Sequence, residues 1–266
     1  MTTGVLIFAY NNKHIDYLAL ANWSAQNIRR HLNLPVCVVT NEVVPDNYKF
    51  EQVVYATAGS QSSRWFADVD ATVTWYNGNR SNAYELSPWD QTLVLDADYV
   101  VASDQLTQLL EIDQDFLCHR QAYDVSGLKT FDENNFFGRH KMPMNWATVM
   151  LFRRSKTAEL IFETMQMVRD NWNHYRNLYG IAKSTYRNDF ALSIAMNTVD
   201  GHTLNTATIP WPLASVVPEH RLTCLAQDQY RVDFVTQNKK SRWITLSLDF
   251  HAMGKKHLGD IIASAC

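Results

Sequence analysis

The sequence predicts an α/β protein, with a mostly parallel central sheet flanked by helices and a smaller β-rich part toward the C-terminus. Three observations carry that expectation. Residues 4–40 read as strand, amphipathic helix, strand, the unit that makes a parallel pair through a right-handed crossover. Thr92 to Leu95 is a short apolar run without polar alternation, the pattern of a central strand buried on both faces. From residue 202 onward the pattern changes to short β runs, punctuated by Pro210, Pro212 and Pro218.

The 266 residues are 46% hydrophobic and 19% charged, which predicts one sizeable core, no disorder and a single domain over 1–266. A net charge of −3 gives no global attraction to nucleic acid or to an anionic membrane. Cys37, Cys118, Cys224 and Cys266 are not paired at metal-site spacing. Cys37 and Cys118 lie in apolar runs, and a reduced, cytoplasmic setting is expected. The N-terminus has no charged-then-apolar signal pattern, and no apolar run is long enough to span a bilayer.

In chain order, Gly4 to Ala9 is the first strand and Tyr10-Asn11-Asn12 the turn after it. Ile15, Leu18, Ala19, Trp23 and Ile28 recur at helical spacing, so 14–32 is a helix. Val36 to Thr40 and Gln52 to Ala56 are strands, and 57–63 is loop. Trp65, Phe66, Val69 and Val73 fall at helical spacing and predict a helix over 64–75, followed by a turn at Asn77-Gly78-Asn79. The segment from Arg80 to Leu86 then leads into the central strand. Asp104 is placed to cap a short helix over 106–112, and Phe116 to His119 is a strand. Residues 121–144 have no clear period, and a structureless loop that long is often functional. Its aromatics interleave with Arg139, His140 and Lys141, which fits either an acceptor-binding surface or a loop packed on its own rings.

Asn145 to Phe152 is a further strand, and Ser155 caps a helix whose buried stripe is Ile161, Met165, Val168 and Trp172. Residues 184–197 run from loop into helix, with Asn188 and Asp189 at its start, where the positive helix end favours a carboxylate. The expected β runs of the C-terminal part are 202–209, 221–225, 229–235 and 243–248. Lys239-Lys240-Ser241-Arg242 is a basic hairpin tip.

The chemistry gathers at two places. The central strand ends in Asp96-Ala97-Asp98, and ligands of open α/β sheets bind at the carboxyl ends of strands. If strand pairing continues through Asp98, both carboxylates point the same way, and two close anions call for a cation between them. A hard divalent ion with oxygen ligands is the natural one. Near the C-terminus, His251, Gly254, Lys255 and Lys256 fall within six residues. An imidazole suits a manganese-like ion as third ligand, glycine lets a phosphate approach the backbone, and lysine supplies charge for a diphosphate.

The segment 86–104 resembles the core of retaining nucleotide-sugar glycosyltransferases of the glycogenin and lipopolysaccharide galactosyltransferase type, glycosyltransferase family 8-like. His251 and Gly254 match the His-x-x-Gly-x-x-Lys that closes their catalytic domain, but His257 stands where those proteins have the lysine. The resemblance implies a GT-A (Rossmann-like) fold, with 1–120 as nucleotide-binding half and 121–266 as donor-sugar and acceptor half. It implies Mn2+ (or Mg2+) held by Asp96, Asp98 and His251. It further implies donor contacts from Ala9, Tyr10, Asn11, Arg80, Ala97, Asn145 and Gly254, with Lys255 or Lys256 on the phosphates. Asp189 and Asn188 become the candidates beside the reacting sugar.

The activity so implied is metal-dependent transfer from a nucleoside-diphosphate sugar, expected to be a UDP-sugar, to a hydroxyl, with retained anomeric configuration. The acceptor is open among a glycan, a protein, a small molecule and a hydroxymethylated DNA base of the phage type. The rival readings are a metal-dependent nucleotidyltransferase and a binding module that has lost turnover.

Overall fold

The computed structural model describes residues 1–59, 62–66, 70–129, 135–181, 185–203 and 207–264. Its central sheet joins β1 (Thr3–Phe8), β2 (Val36–Thr40), β3 (Gln52–Tyr55), β6 (Gln91–Leu95), β8 (Phe116–His119) and β12 (Trp146–Arg153), in the order β3-β2-β1-β6-β12-β8. β1 pairs in parallel with β2 and β6, and β2 with β3. β12 runs antiparallel to both its neighbours. The α/β architecture with a parallel-rich sheet is therefore the one the sequence predicts.

Cover on both faces of the sheet explains why β1, β2 and β6 are buried almost throughout, with alternate residues facing opposite layers. Val5, Ile7, Val36, Val38, Leu93 and Leu95 pack in one layer with helix α1 (Tyr17–Leu32), through Leu20 and Ile28. Leu6, Phe8, Cys37, Val39 and Val94 face the other layer, formed by α4 (Lys156–Asp170) and α6 (Asn188–Val199). Asp16 caps α1 by accepting from Ala19 N, and Ser155 caps α4 by accepting from Ala158 N. Gly4 lies in β1 where an added Cβ would run into the Trp89 indole. Gly4→Ala should cost about 1–3 kcal/mol by overpacking, read from urea denaturation.

A second sheet, β7-β17-β13-β9, is built from β7 (Tyr99–Val100), β9 (Ala122–Asp124), β13 (Leu213–Val216) and β17 (Phe250–Ala252). A three-stranded sheet, β14 (Arg221–Ala226), β15 (Gln229–Val235) and β16 (Ser241–Leu246), makes the β-rich C-terminal part. Its β15–β16 hairpin turns through Lys239, which has φ of 56°, as the basic tip predicts. Further helices among the described residues are the short α2 (Ala83–Leu86), α3 (Thr107–Glu111) and α5 (Trp172–Leu178), and α7 (Lys255–Ala263).

Several expectations need correction. Residues 64–75 are not helical: β4 (Ser62–Phe66) and β5 (Ala71–Trp75) form an antiparallel hairpin. The β-branched run Thr72-Val73-Thr74 outweighs a helical spacing that rested on a few large side chains, with residues 67–69 outside the described set. Residues 202 and 203 are not a strand, and 207–209 are irregular, while 204–206 lie outside the described residues. The chain there is leaving α6, with Gly201 and His202 at positive φ and His202 N bonded to Asn197 O. The carboxylate of Asp104 caps nothing; its main-chain carbonyl accepts from Thr107 N and Oγ1. The 121–144 loop contains β9 and the small hairpin β10 (Phe136–Phe137) with β11 (Met142–Pro143), and residues 130–134 are outside the described set. Phe137 is buried against Phe190, so part of this segment packs on its own rings.

His119 at the end of β8 is buried, and its Nδ1 lies 3.0 Å from Trp211 O. Burial pulls its pKa down to about 4, only partly opposed by that hydrogen bond. The unfolded chain binds the proton near pH 6.5 while the folded one resists until about 4, so stability falls with acidification across that window. The loss should be on the order of 3 kcal/mol. His119→Gln keeps a donor for Trp211 O and should flatten this part of a stability-against-pH curve.

Candidate active site

β6 ends at Leu95 on the carboxyl edge of the sheet. Asp96 N still bonds Thr148 O of β12 at 3.0 Å, and then the chain turns, with Tyr99 N donating to Asp96 O. The two carboxylates therefore converge through a turn rather than through strand alternation, which corrects the geometry expected from sequence. The next two residues, β7, pair with β17 in the register Tyr99↔His251. Ala252 N donates to Asp98 O at 2.9 Å. This short pairing sets His251 beside Asp98, with Nε2 3.4 Å from Oδ2. Asp96, Asp98 and His251 each offer a ligand atom, and the three atoms lie within 4.8 Å of one another.

Each carboxylate also has a protein cation. Lys255, the first residue of α7, places Nζ 2.5 Å from Asp98 Oδ2 and 3.1 Å from Met253 O. Burial opposes ionisation of Asp98, but the charges and hydrogen bonds of Lys255 and His251 outweigh it and hold the carboxyl well below the usual range. Arg80 sits in the 3-10 turn Asn77–Asn82 and is only 2% exposed. It donates to the Asp96 carboxylate and, at 2.6 Å, to Ala147 O. Burial pulls its pKa down to about 10 against the opposing charges of Asp189 and Asp98, so it stays charged at neutral pH.

Across the cavity, α6 begins with Asn188 and Asp189. Asp189 accepts from Ala147 N at 3.0 Å and pairs with Arg187 at 2.7 Å; Asn188 accepts from Tyr186 OH. Together these groups line a cavity of about 140 Å3, with Tyr17, Trp75, Trp146, Thr148 and Met253 completing its wall. A smaller aromatic slot adjoins it, sharing Tyr17, Trp75, Asp96 and Asp98 and adding Phe8, Tyr10, Tyr76 and Ala97. Larger clefts beside Asp113–Phe116 and beside the β15–β16 hairpin contain neither aspartate of this constellation.

The structure therefore brings together Asp96, Asp98, His251, Lys255, Arg80, Asn188 and Asp189, with Tyr10 and Ala97 in the slot. It separates others. Lys256 is exposed and outside the cavity wall, so of the two lysines Lys255 is the one at the carboxylates. The Asn11 side chain accepts from Leu18 N and is spent on the start of α1. Ala9 is a buried residue whose amide bonds Val39 O. Asn145 is buried outside the wall, with its main-chain N donating to Ser193 Oγ. Gly254 caps α7, where a Cβ would stand 3.3 Å from His257 Nδ1 and 3.5 Å from Pro218 Cα.

Sequence reasoning missed Arg187, Trp75, Tyr76, Tyr17 and Met253. Arg187 carried a signal, a cation directly before two polar residues at a helix start; Trp75 and Tyr76 were hidden by the mistaken helix.

Two carboxylates and an imidazole suit a manganese-like ion. His251 Nδ1 is buried without a hydrogen-bond partner, so the ring is not locked by a second acceptor. The donor set fits the group that the resemblance implies.

Fold and site thus define a mixed α/β protein with an Asp-Asp-His cluster, able to hold a cation, at the carboxyl edge of its sheet. No protein-family model and no curated protein sequence matches the chain. Among solved structures it is similar to glycosyltransferase GlyE of Streptococcus pneumoniae TIGR4, at 14% identity and TM-score 0.44, over 79% of this chain and 46% of that one. It is also similar to the galactosyltransferase LgtC solved with donor and acceptor sugar analogues, at 12% identity and TM-score 0.45, over 73% of this chain and 69% of that one. A structure described as a glucose-1-phosphate thymidylyltransferase from Bacillus anthracis matches at 9% identity and TM-score 0.38, over 77% and 97%. The chain spans less than half the length of GlyE. Overlaps this loose carry no argument about activity, which has to come from the site itself.

Proposed function

We propose that this protein is a glycosyltransferase that moves a sugar from a nucleoside-diphosphate sugar to an acceptor hydroxyl. The observation that carries the reading is the β7–β17 pairing, which seats His251 against Asp98 beside Asp96, with Lys255 facing the same oxygen. A bound divalent ion would be held by Asp96, Asp98 and His251 and would supply Lewis-acid neutralisation of the departing diphosphate. Lys255, on the same cavity wall, adds positive charge for the diphosphate. The aromatic slot of Tyr10, Tyr17, Trp75 and Tyr76 suits a base, whose ring can stack on those side chains. Asp189, held by Ala147 N and Arg187 on the cavity wall, would stabilise positive charge at the anomeric carbon or orient the donor sugar.

The finer assignments, UDP as the nucleotide, retention of configuration and Mn2+ as the ion, rest on the motif resemblance and belong to the same proposal. Among the described residues no helix is long and apolar enough to cross a membrane.

A donor screen with Mn2+ and candidate acceptors decides the matter. Release of a nucleoside diphosphate with transfer of the sugar supports the reading. Pyrophosphate as product would make the protein a nucleotidyltransferase, and binding of sugar nucleotides without release in the presence of every acceptor class would make it a binding module.

A further inference from the structure

We propose that Lys255 is an exchangeable counter-cation. It holds Asp98 while the seat carries no divalent ion, and it swings to the donor diphosphate once the ion arrives, so that the ion binds before the sugar nucleotide. This rests on the proposed donor site.

The geometry sets up a competition for one atom. Asp98 Oδ2 is 2.5 Å from Lys255 Nζ and 3.4 Å from His251 Nε2, so the oxygen that faces the imidazole is the one the ammonium already holds. An ion lying between Asp98 and His251 would meet the ammonium at the oxygen that faces the imidazole, and like charges this close repel. One cation has to give way.

The two protein cations differ in how firmly they are held. Arg80 is buried, sits in a 3-10 turn and is tied to Ala147 O of β12 as well as to Asp96. Its planar fork is committed on both sides. Lys255 reaches Asp98 and Met253 O on a flexible four-carbon stem from the first residue of α7, without a planar fork to fix it, and its head lies on the cavity wall with 14% of the side chain exposed. Lys255 is thus the cation that can move, and the cavity it would move into is where the diphosphate sits. Lysine leaving Asp98 for phosphate exchanges one anionic partner for another, while the divalent ion takes over the charge on Asp98.

Two measurements test this without turnover. Mn2+ binding is followed by the loss of the free-ion electron paramagnetic resonance signal. Side-chain access is followed by a pulse of acetic anhydride and mass spectrometry, with exposed Lys256 as internal reference. In the ion-free protein Lys255 should label far more slowly than Lys256. Mn2+ should raise its labelling several-fold, and UDP added with Mn2+ should lower it again. Lys255→Met should bind Mn2+ about tenfold more tightly than the native protein, and Lys255→Arg no more tightly. Labelling of Lys255 that stays constant or falls while Mn2+ demonstrably binds overturns the exchange. Failure of the native protein to bind Mn2+ at all overturns both the exchange and the cation seat, and leaves the donor screen to judge the transferase reading. The labelling arm uses only the native chain, so a poorly folded variant does not blunt it.

Discussion

Asp98→Asn should lower nucleoside-diphosphate release by about a thousandfold, the scale on which fixed electrostatic groups of active sites act. Three losses coincide in that one atom change. The ion seat keeps only Asp96 and His251 as ionic or imidazole ligands. Lys255 and His251 both lose the oxygen they approach, Oδ2. The negative charge between β6 and β7 disappears, while Ala252 N keeps its bond to the main-chain carbonyl. The variant should also be less stable, because it leaves the nearly buried Lys255 ammonium without its anion; breaking such a pair costs about 3–5 kcal/mol. Release assays with saturating Mn2+ and a thermal melt read the two effects separately. Near-native turnover at native stability would remove Asp98 from the mechanism.

Arg80→Met should be the second most damaging change. Its guanidinium joins the Asp96 carboxylate to Ala147 O of β12, and Ala147 N in turn holds the Asp189 carboxylate. One buried side chain therefore fixes the spacing between the cation seat and the start of α6. Removing it strands Asp96 beside an unbonded carbonyl, at a cost of about 3–5 kcal/mol. A displaced Asp96 should lower kcat about a hundredfold, as small misplacements at reacting groups do. Arg80→Lys keeps the charge but cannot span both acceptors, so it should fall between native and Met in urea denaturation and in turnover. If Arg80→Met denatures like the native protein, the buried ion pair is not holding the site.

Much of this arrangement was legible in the sequence, and the reasons are local. Val36 to Thr40 and Phe116 to His119 have the boundaries expected of them, because an apolar run flanked by turn residues has few alternatives to a buried strand. Ser155 caps α4 as expected, because a hydroxyl before an amphipathic stretch has a nearby amide to bond. The hairpin at 62–75 was misread because four apolar residues met a helical template, while the β-branched preference of 72–74 pointed the other way. Arg80 was read as a donor contact because the resembled family has a basic residue in the segment before its central strand; its burial depends on acceptors that arrive from β12, far along the chain.

By itself the sequence singled out two aspartates where an apolar strand ends and a histidine, glycine and lysine pair near the C-terminus, of which the aspartates, His251 and Lys255 line one cavity. Tertiary structure decided how they meet. The two-residue pairing of β7 with β17 chose His251 as the neighbour of Asp98 from more than 150 residues away, and the direction of α7 turned Lys255 inward and Lys256 to solvent. Residue type fixes charge and burial preference at each position, whereas strand register and helix phase fix direction, and both of those are set by the packing of the whole chain.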